Sequence, residues 1–364
     1  MSTPLVSVII PAYNAAAFIE RTLVSVLSQT YPHLEVLVVD DGSTDRTVEI
    51  VNAWAAKDSR IRLLQQPNQG VAAARNFAIQ NANGSLIAPI DADDIWYPEN
   101  LQKQVQRLSS ADETVGLVYS WSLDIDEIDL AIGDFSASVI EGDVSKTLVC
   151  HNFIGNASAT LIRRDCFEKV GGYNCQLKEL GAQGCEDWDL YLRISEFYQF
   201  QVVPEFLVGY RKVISSMSRN YDSMARSHFL MLKFARERQP ATSRMMCRLS
   251  SSSFYLYLAR QSRQHHCYRG TLFWLLRALE VDHVSTIFRS SFYALTLESY
   301  LKLAIKEVSA WIGTNNYYWI FLKQGLKSLL KQSHTLSKEK QNLSIRFKVL
   351  LSSLLHRSIP TMFG

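Results

Sequence analysis

Nowhere in these 364 residues does an uncharged apolar run approach the ~18 positions needed to carry a helix across a bilayer, so no membrane span is expected. The opening stretch, MSTPLVSVIIPAYN, has neither a basic start nor a signal-length apolar core, which points to a cytoplasmic protein. Cysteine is sparse. Cys150, Cys166, Cys175, Cys185, Cys247 and Cys267 show no C-x-x-C spacing, which disfavours a zinc site, and a chain this long needs no disulfide staples. Buried free thiols are expected, and the sequon-like triplets at Asn83, Asn156 and Asn342 then stay unmodified. No G-x-G-x-x-G follows the first apolar run, so a dinucleotide fingerprint is excluded. His228, His265, His266 and His283 form no ligand spacing.

With 47% hydrophobic and 20% charged residues, the chain can bury a large core. Its net charge of +3 conceals a division. Residues 1–210 carry 28 acids against 14 Lys and Arg, whereas residues 211–364 carry 24 Lys and Arg against 7 acids. The expected organisation is a catalytic domain over residues 1–215 and a basic, mostly helical region over 216–364.

The acidic half alternates apolar runs with helical patterns. Strands are predicted at Leu5–Ile10, Glu35–Asp40, Ile61–Gln65 and Leu86–Ile90, and helices at Ala16–Ser28, Asp45–Lys57 and Val71–Ala82, the last stopped by Gly84. Continuous apolar strands between helices indicate a mostly parallel α/β sheet covered on both faces. Such sheets bind ligands at the carboxyl ends of their strands. Polar clusters fall at those ends: Pro11-Ala12-Tyr13-Asn14, Asp40-Asp41-Gly42-Ser43 and Asp91-Ala92-Asp93-Asp94.

In the last cluster, positions i and i+2 share a side of an extended segment, so Asp91 and Asp93 can face one ion. Two carboxylates with the remaining positions open suit Mg²⁺ or Mn²⁺ carrying a phosphate-bearing substrate. A solvated loop with Asp94 capping the next helix is the structural alternative. A D-x-D phosphatase with Asp91 as nucleophile is a chemical one. In VVDDGSTD, Asp40 with Ser43 or Thr44 reads as turn chemistry, and Asp41 as an acceptor for a nucleobase N–H.

VSVIIPAYN, VLVVDDGSTDRT, NQGVAAARNFAI and IDADD occur in the order and spacing of glycosyltransferase family 2, and ATLIRRDCFEKVGGYN and GCEDWDLYLRI resemble that family's later motifs. The resemblance covers about the first 210 residues. It implies a GT-A fold, Rossmann-like with its sheet sandwiched by helices, and inverting transfer from a nucleotide-diphosphate sugar, UDP-sugar favoured, to a glycan or lipid-linked acceptor. It also implies that Pro11, Ala12, Tyr13, Asp41 and Arg75 hold the nucleoside, that Asp91 and Asp93 form the Mn²⁺ or Mg²⁺ and diphosphate site with Ala92 between them, and that Asp187 is the base. Glu186, beside it at a helix start, points about 100° away, and Trp188 is a candidate for lining the acceptor site. The Q-x-x-R-W motif of processive synthases is absent, so single-sugar transfer is expected. A non-catalytic nucleotide-sugar-binding scaffold is the remaining alternative.

YRKVISSMSRN (Tyr210–Asn220) resembles a loop placed over the donor, with Arg211 and Arg219 available to grip a diphosphate. Further on, helical stretches such as Tyr317–Lys331 carry Lys on one side and Leu or aromatics on another. Such helices read either as soluble helices packed by their apolar faces or as peripheral attachment to an anionic membrane surface, and no nucleic-acid motif is present.

Overall fold

The computed structural model describes residues 3–213 and 219–312, with side chains through residue 306. The chain divides into two compact units, the first running to Thr242 and the second starting at Ser243. Among the described residues no helix is long and apolar enough to cross a membrane. The stretch Tyr317–Lys331 lies outside the described residues.

In chain order the first unit comprises β1 (Val6–Ala12), α1 (Ile19–Leu27), β2 (Leu34–Asp40), α2 (Thr47–Ala55), β3 (Ile61–Gln65), α3 (Val71–Asn81), β4 (Leu86–Pro89), β5 (Ile95–Trp96), α4 (Asn100–Ser109), β6 (Val115–Ile125) and β7 (Ala131–Ser136). It continues through α5 (Ser145–Cys150), a 3₁₀ turn at Ala157–Ala159, β8 (Thr160–Arg163), α6 (Arg164–Val170), α7 (Gln176–Glu179), α8 (Glu186–Ser195), β9 (Gln199–Arg211) and α9 (Tyr221–Arg238). The second holds α10 (Arg244–Gln264), α11 (Tyr268–Val281), α12 (His283–Ile287) and α13 (Ser290–Ile312). Helix α9, read from the sequence as part of the C-terminal region, thus belongs with the first unit.

One sheet organises the first unit, in the order β3-β2-β1-β4-β8-β6-β9-β5, with β7 added on β6. The strands β1 to β4, together with β6 and β9, run one way, while β5, β7 and β8 run against them. Consecutive residues Val8, Ile9 and Ile10 of β1 and Val36 to Val39 of β2 are all fully buried, so both faces of the sheet are covered. Alternation is lost because neither face meets water. Strand β1 runs two residues past its predicted end and pairs Ala12 with Asp40, which sets the carboxyl ends of β1 and β2 level.

The two loops leaving those ends are stitched together. Asn14, at φ 49°, donates its backbone N–H to Ser43 Oγ at 2.9 Å and accepts from Thr44 N at 2.8 Å, while Ala16 N donates to an Asp45 carboxylate at 3.0 Å. Short polar side chains here fix the rim of the sheet by bonding across it rather than along the chain.

Gly84 serves a different purpose from the expected helix stop. Helix α3 ends at Asn81, and Ala82 is already extended. A Cβ on Gly84 would stand 2.6 Å from the Leu5 carbonyl oxygen and 2.7 Å from Ser7 N, so the backbone crosses β1 where no side chain fits. Its N–H donates to Ser7 Oγ at 2.8 Å. Gly84→Ala is expected to destabilise the fold by about 1–3 kcal/mol, as overpacking against backbone does. Urea titration of the variant measures this, and an unchanged midpoint would show that the crossing yields.

Candidate active site

The carboxyl ends of β1, β2 and β4 deliver three acidic or polar loops to one edge of the sheet, and the start of α8 brings a fourth. Asp41 follows β2 and is buried. Its N–H donates to the Ala12 carbonyl at 2.8 Å, and its carboxylate accepts from Gln66 Nε2 at 2.7 Å, Gln69 N at 2.7 Å and Gly70 N at 2.8 Å. Gly70, at φ +88°, is the N-cap of α3, so Asp41 anchors the loop that launches that helix. Asp40 is also buried and accepts from Ser43 N, which is the turn role expected of it. Pro11 is half-buried, Ala12 and Ala92 are buried, and Tyr13 stands 53% exposed at the rim.

Helix α3 carries Arg75 inward. The guanidinium is buried, donates from Nη2 to the Asp91 carboxylate and lies over the Tyr173 ring, 5.1 Å from its centre. Burial works against its charge, yet Asp91, Tyr173 and Asp187 together hold it protonated above the ordinary range of an arginine. Arg75 Nε and Tyr173 OH are buried and meet no hydrogen-bond partner among the described residues.

The three aspartates after β4 separate into two kinds. Asp94 is fully buried, accepts from Ser158 Oγ at 2.5 Å and from Arg211 N at 2.8 Å, and has its carboxyl pushed well up by burial and then by Asp93 and Asp91. It does not cap α4, whose first residue is Asn100. Asp91 and Asp93 are only half-buried. Burial, with Asp91 alongside, pushes the Asp93 carboxyl up to about 6. Among the described residues no three or more His, Cys, Asp or Glu side chains gather where one ion could bind.

Two readings need correction. Arg211 is not available to a diphosphate: its side chain is fully buried, Nε donates to the Asp93 carbonyl at 2.6 Å, Nη1 to the Asp126 carbonyl at 2.5 Å and Nη2 to the Asp129 carboxylate. Its guanidinium also lies 4.9 Å from the centre of the Phe18 ring. It clamps the aspartate loop to the β6–β7 turn. Trp188 likewise packs instead of lining an open site: it is buried, donates Nε1–H to the Leu148 carbonyl at 2.8 Å and meets the His228 ring at 5.0 Å. Arg219 is half-buried next to residues 214–218, which lie outside the described residues.

At the start of α8, neighbouring acids take different roles. Glu186 is buried and folds back to accept from Gly184 N at 2.9 Å, so it finishes the helix N-terminus; burial raises its carboxyl. Asp187 is half-buried and accepts from Trp188 N at 2.8 Å. Burial pushes its carboxyl up to about 6, against the pull of Arg75 and with a further push from Glu186 and Asp91. Asp91 and Asp187 therefore lie within the field of the same guanidinium. Ser158 and Tyr173, which complete this arrangement, had no signal of their own in the sequence, although both lie in or beside segments with motif character.

Residues 7–171 match the sequence profile of glycosyl transferase family 2. The chain is 28% identical over 241 residues to a chondroitin synthase of Pasteurella multocida (strain Pm70), a match that takes in 65% of this chain and 24% of the relative. The chain thus spans about a quarter of that synthase's length. Among solved structures, S. aureus TarS 1–349 in complex with UDP superposes with a TM-score of 0.53 at 17% identity, covering 86% of this chain and 92% of that one. The mannosyltransferase PcManGT from Pyrobaculum calidifontis, in complex with GDP-Man and Mn2+, superposes at 0.51 and 19% identity, covering 85% and 88%. The fold is GT-A.

The clamp assignment has a direct test. Arg211→Met takes the guanidinium from the Asp129 carboxylate and from the Asp93 and Asp126 carbonyls and is expected to destabilise the fold by about 1–3 kcal/mol, the range for leaving buried acceptors unpaired. Urea unfolding reads the loss. Wild-type stability with weakened nucleotide binding would instead make Arg211 a ligand of the diphosphate.

Proposed function

We propose that the chain is an inverting, metal-dependent glycosyltransferase of family 2 that moves one sugar at a time from a nucleotide-diphosphate sugar, UDP-sugar favoured, to a hydroxyl of a glycan or lipid-linked acceptor. The setting would be the synthesis of cell-surface polysaccharide or glycolipid, in keeping with the polysaccharide synthase among the relatives. The observation that carries the reading is the convergence of a strand-end carboxylate, Asp91, and a helix-start carboxylate, Asp187, on one buried guanidinium, Arg75.

The residues suit such a donor. Asp91 and Asp93 form a half-buried carboxylate pair in which burial, and then repulsion by Asp91, raises Asp93, and a divalent cation would relieve the repulsion. Mn²⁺ or Mg²⁺ held there would neutralise charge on the departing diphosphate. With only two protein carboxylates available, the remaining coordination falls to phosphate oxygens and water, the usual habit of these hard cations. The orphaned Arg75 Nε is a donor suited to the same anionic group. Pro11, Ala12, Tyr13 and Asp41 border the nucleoside side of this edge, Asp41 through the Gln66–Gly70 loop it anchors.

Inverting transfer is a single displacement and needs one base. Asp187 fills that role: its raised carboxyl makes it a better proton acceptor than an ordinary aspartate, and it is still ionised at neutral pH. The base works as the carboxylate, so activity is present above pH ~6 and is lost as pH falls through that value. A kcat/KM profile of the free enzyme should show this limb, and Asp187→Asn should lower kcat by roughly 10²–10⁴ with donor affinity nearly unchanged. Glu186→Gln should be milder. Equal losses at the two positions would remove Asp187 from the role.

The donor side is tested by calorimetry. Asp93→Asn is expected to abolish Mn²⁺-dependent binding of a nucleotide sugar while the thermal midpoint stays at or above that of the wild type, because a desolvated charge has been removed. Undiminished binding, or full turnover of wild type in excess chelator, would sink the metal-dependent reading. Trapping of a phosphoenzyme at Asp91 would favour the phosphatase chemistry.

A further inference from the structure

Two neighbouring residues of α3 hold one tyrosine. Arg75 lays its guanidinium over the Tyr173 ring, and Asn76 grips the Tyr173 backbone, donating from Nδ2 to its carbonyl at 2.8 Å and accepting from its N–H at 2.7 Å. Ring and backbone of Tyr173 are thus fixed by the same helix that supplies the partner of Asp91. The side chain is buried, yet its hydroxyl meets no hydrogen-bond partner among the described residues, so the polar tip does not account for its position.

The residues leading to Tyr173 are held from α8, the helix that starts with Asp187. Arg193 donates from Nη1 to the Val170 carbonyl at 2.8 Å and from Nη2 to the Gly172 carbonyl at 2.8 Å, and its Nε pairs with the buried Asp189 at 2.9 Å. A planar fork across two carbonyls fixes direction as well as distance, which a lysine ammonium does not. Between the two grips the chain leaves no room: a Cβ on Gly172 would stand 2.2 Å from Asn76 Oδ1, the atom that accepts from Tyr173 N.

We propose that residues 170–173 are the joint that aligns the base on α8 with the donor edge at α3 and β4, and that Asn76 and Arg193 are positioning residues acting through it. Asn76 ties the joint to the Arg75 and Asp91 side, and Arg193 ties it to the helix of Asp187. A misplacement of about 1 Å between reacting groups costs on the order of 10² in rate, so a rigid tie between the two halves bears directly on turnover. The inference rests on the transferase reading for what is aligned, Asp187 against Asp91 and Asp93, while the ties themselves are a property of the free protein.

The test separates turnover from binding in the full-length chain. Asn76→Ala, Arg193→Lys and Gly172→Ala should each lower kcat for UDP release from a UDP-sugar by about 10–10²-fold, with Mn²⁺-dependent UDP binding unchanged in affinity and stoichiometry. Combined, Asn76→Ala and Arg193→Lys should cost less than the product of their separate losses, because both loosen one joint. Tyr173→Leu should lose more than Tyr173→Phe, which keeps a ring beneath Arg75. Wild-type kcat in Asn76→Ala, loss of UDP binding in step with kcat, or multiplicative losses in the pair would overturn the inference. An equal loss in Tyr173→Phe would overturn it too, by making the hydroxyl a substrate contact. Amide exchange of the free protein reads the joint without turnover: Asn76→Ala should speed exchange at residues 170–175 and at the start of α8, and a change confined to 170–175 would overturn the coupling. A wild type that turns over no UDP-sugar but shows the coupled exchange would strike the transferase reading and leave the joint standing.

Discussion

Three carboxylates within four residues stand at the mouth of a buried strand, and two guanidiniums brace the loop that carries them. Arg75 takes the Asp91 carboxylate from the α3 side, and Arg211 takes the Asp93 carbonyl and the Asp129 carboxylate from the end of β9. Withdrawing an ion from water costs several kcal/mol even after relaxation, so neither arginine nor its partners could stay buried alone. Everything else at this edge takes its place from that neutralisation. The β6–β7 turn is tied down because Arg211 also needs the Asp126 carbonyl, and Ser158 is drawn in because Asp94 needs a second donor.

This arrangement sorts chemically identical groups by surroundings. Asp94 is buried and fully bonded, and it acts as framework. Asp91 and Asp93, one turn of the loop away, keep part of their surface open. At α8 the same division recurs between Glu186, closed onto Gly184 N, and Asp187, left partly open within reach of the Arg75 field. Differences in desolvation, rather than in residue type, decide which acids remain available for chemistry.

The half of the sheet built from β1 to β4 was legible because parallel strands buried on both faces read as unbroken apolar runs, and because each ends in polar residues that cannot remain inside. The half built from β5 to β9 was not, since its antiparallel strands pair out of chain order and β6 finds β9 across more than eighty residues of sequence. The acids of the candidate site were readable as clusters and through the family resemblance. Their division of labour was not: an arginine in a basic stretch looks like a solvated or phosphate-binding side chain until its carbonyl partners are known, as with Arg211, and a tryptophan beside an acid looks like a sugar platform until its indole N–H is seen to be spent, as with Trp188. Gly84 failed for the same reason, because the feature that demands glycine there is a backbone crossing and not the helix before it.

Ser158 and Arg211 stand 64 and 117 residues along the chain from the Asp94 carboxylate they hold. Loop closures of that length come late in folding, after local helices and neighbouring strands have formed. The aspartate loop therefore has its full set of partners only when the turn before β8 and the end of β9 are in place, although its strand comes early in the chain. A polypeptide released at residue 171, the end of the stretch that carries the family profile, would own every acid of the loop and lack both Arg211 and Asp187. Competence in this molecule is a property of the finished sheet.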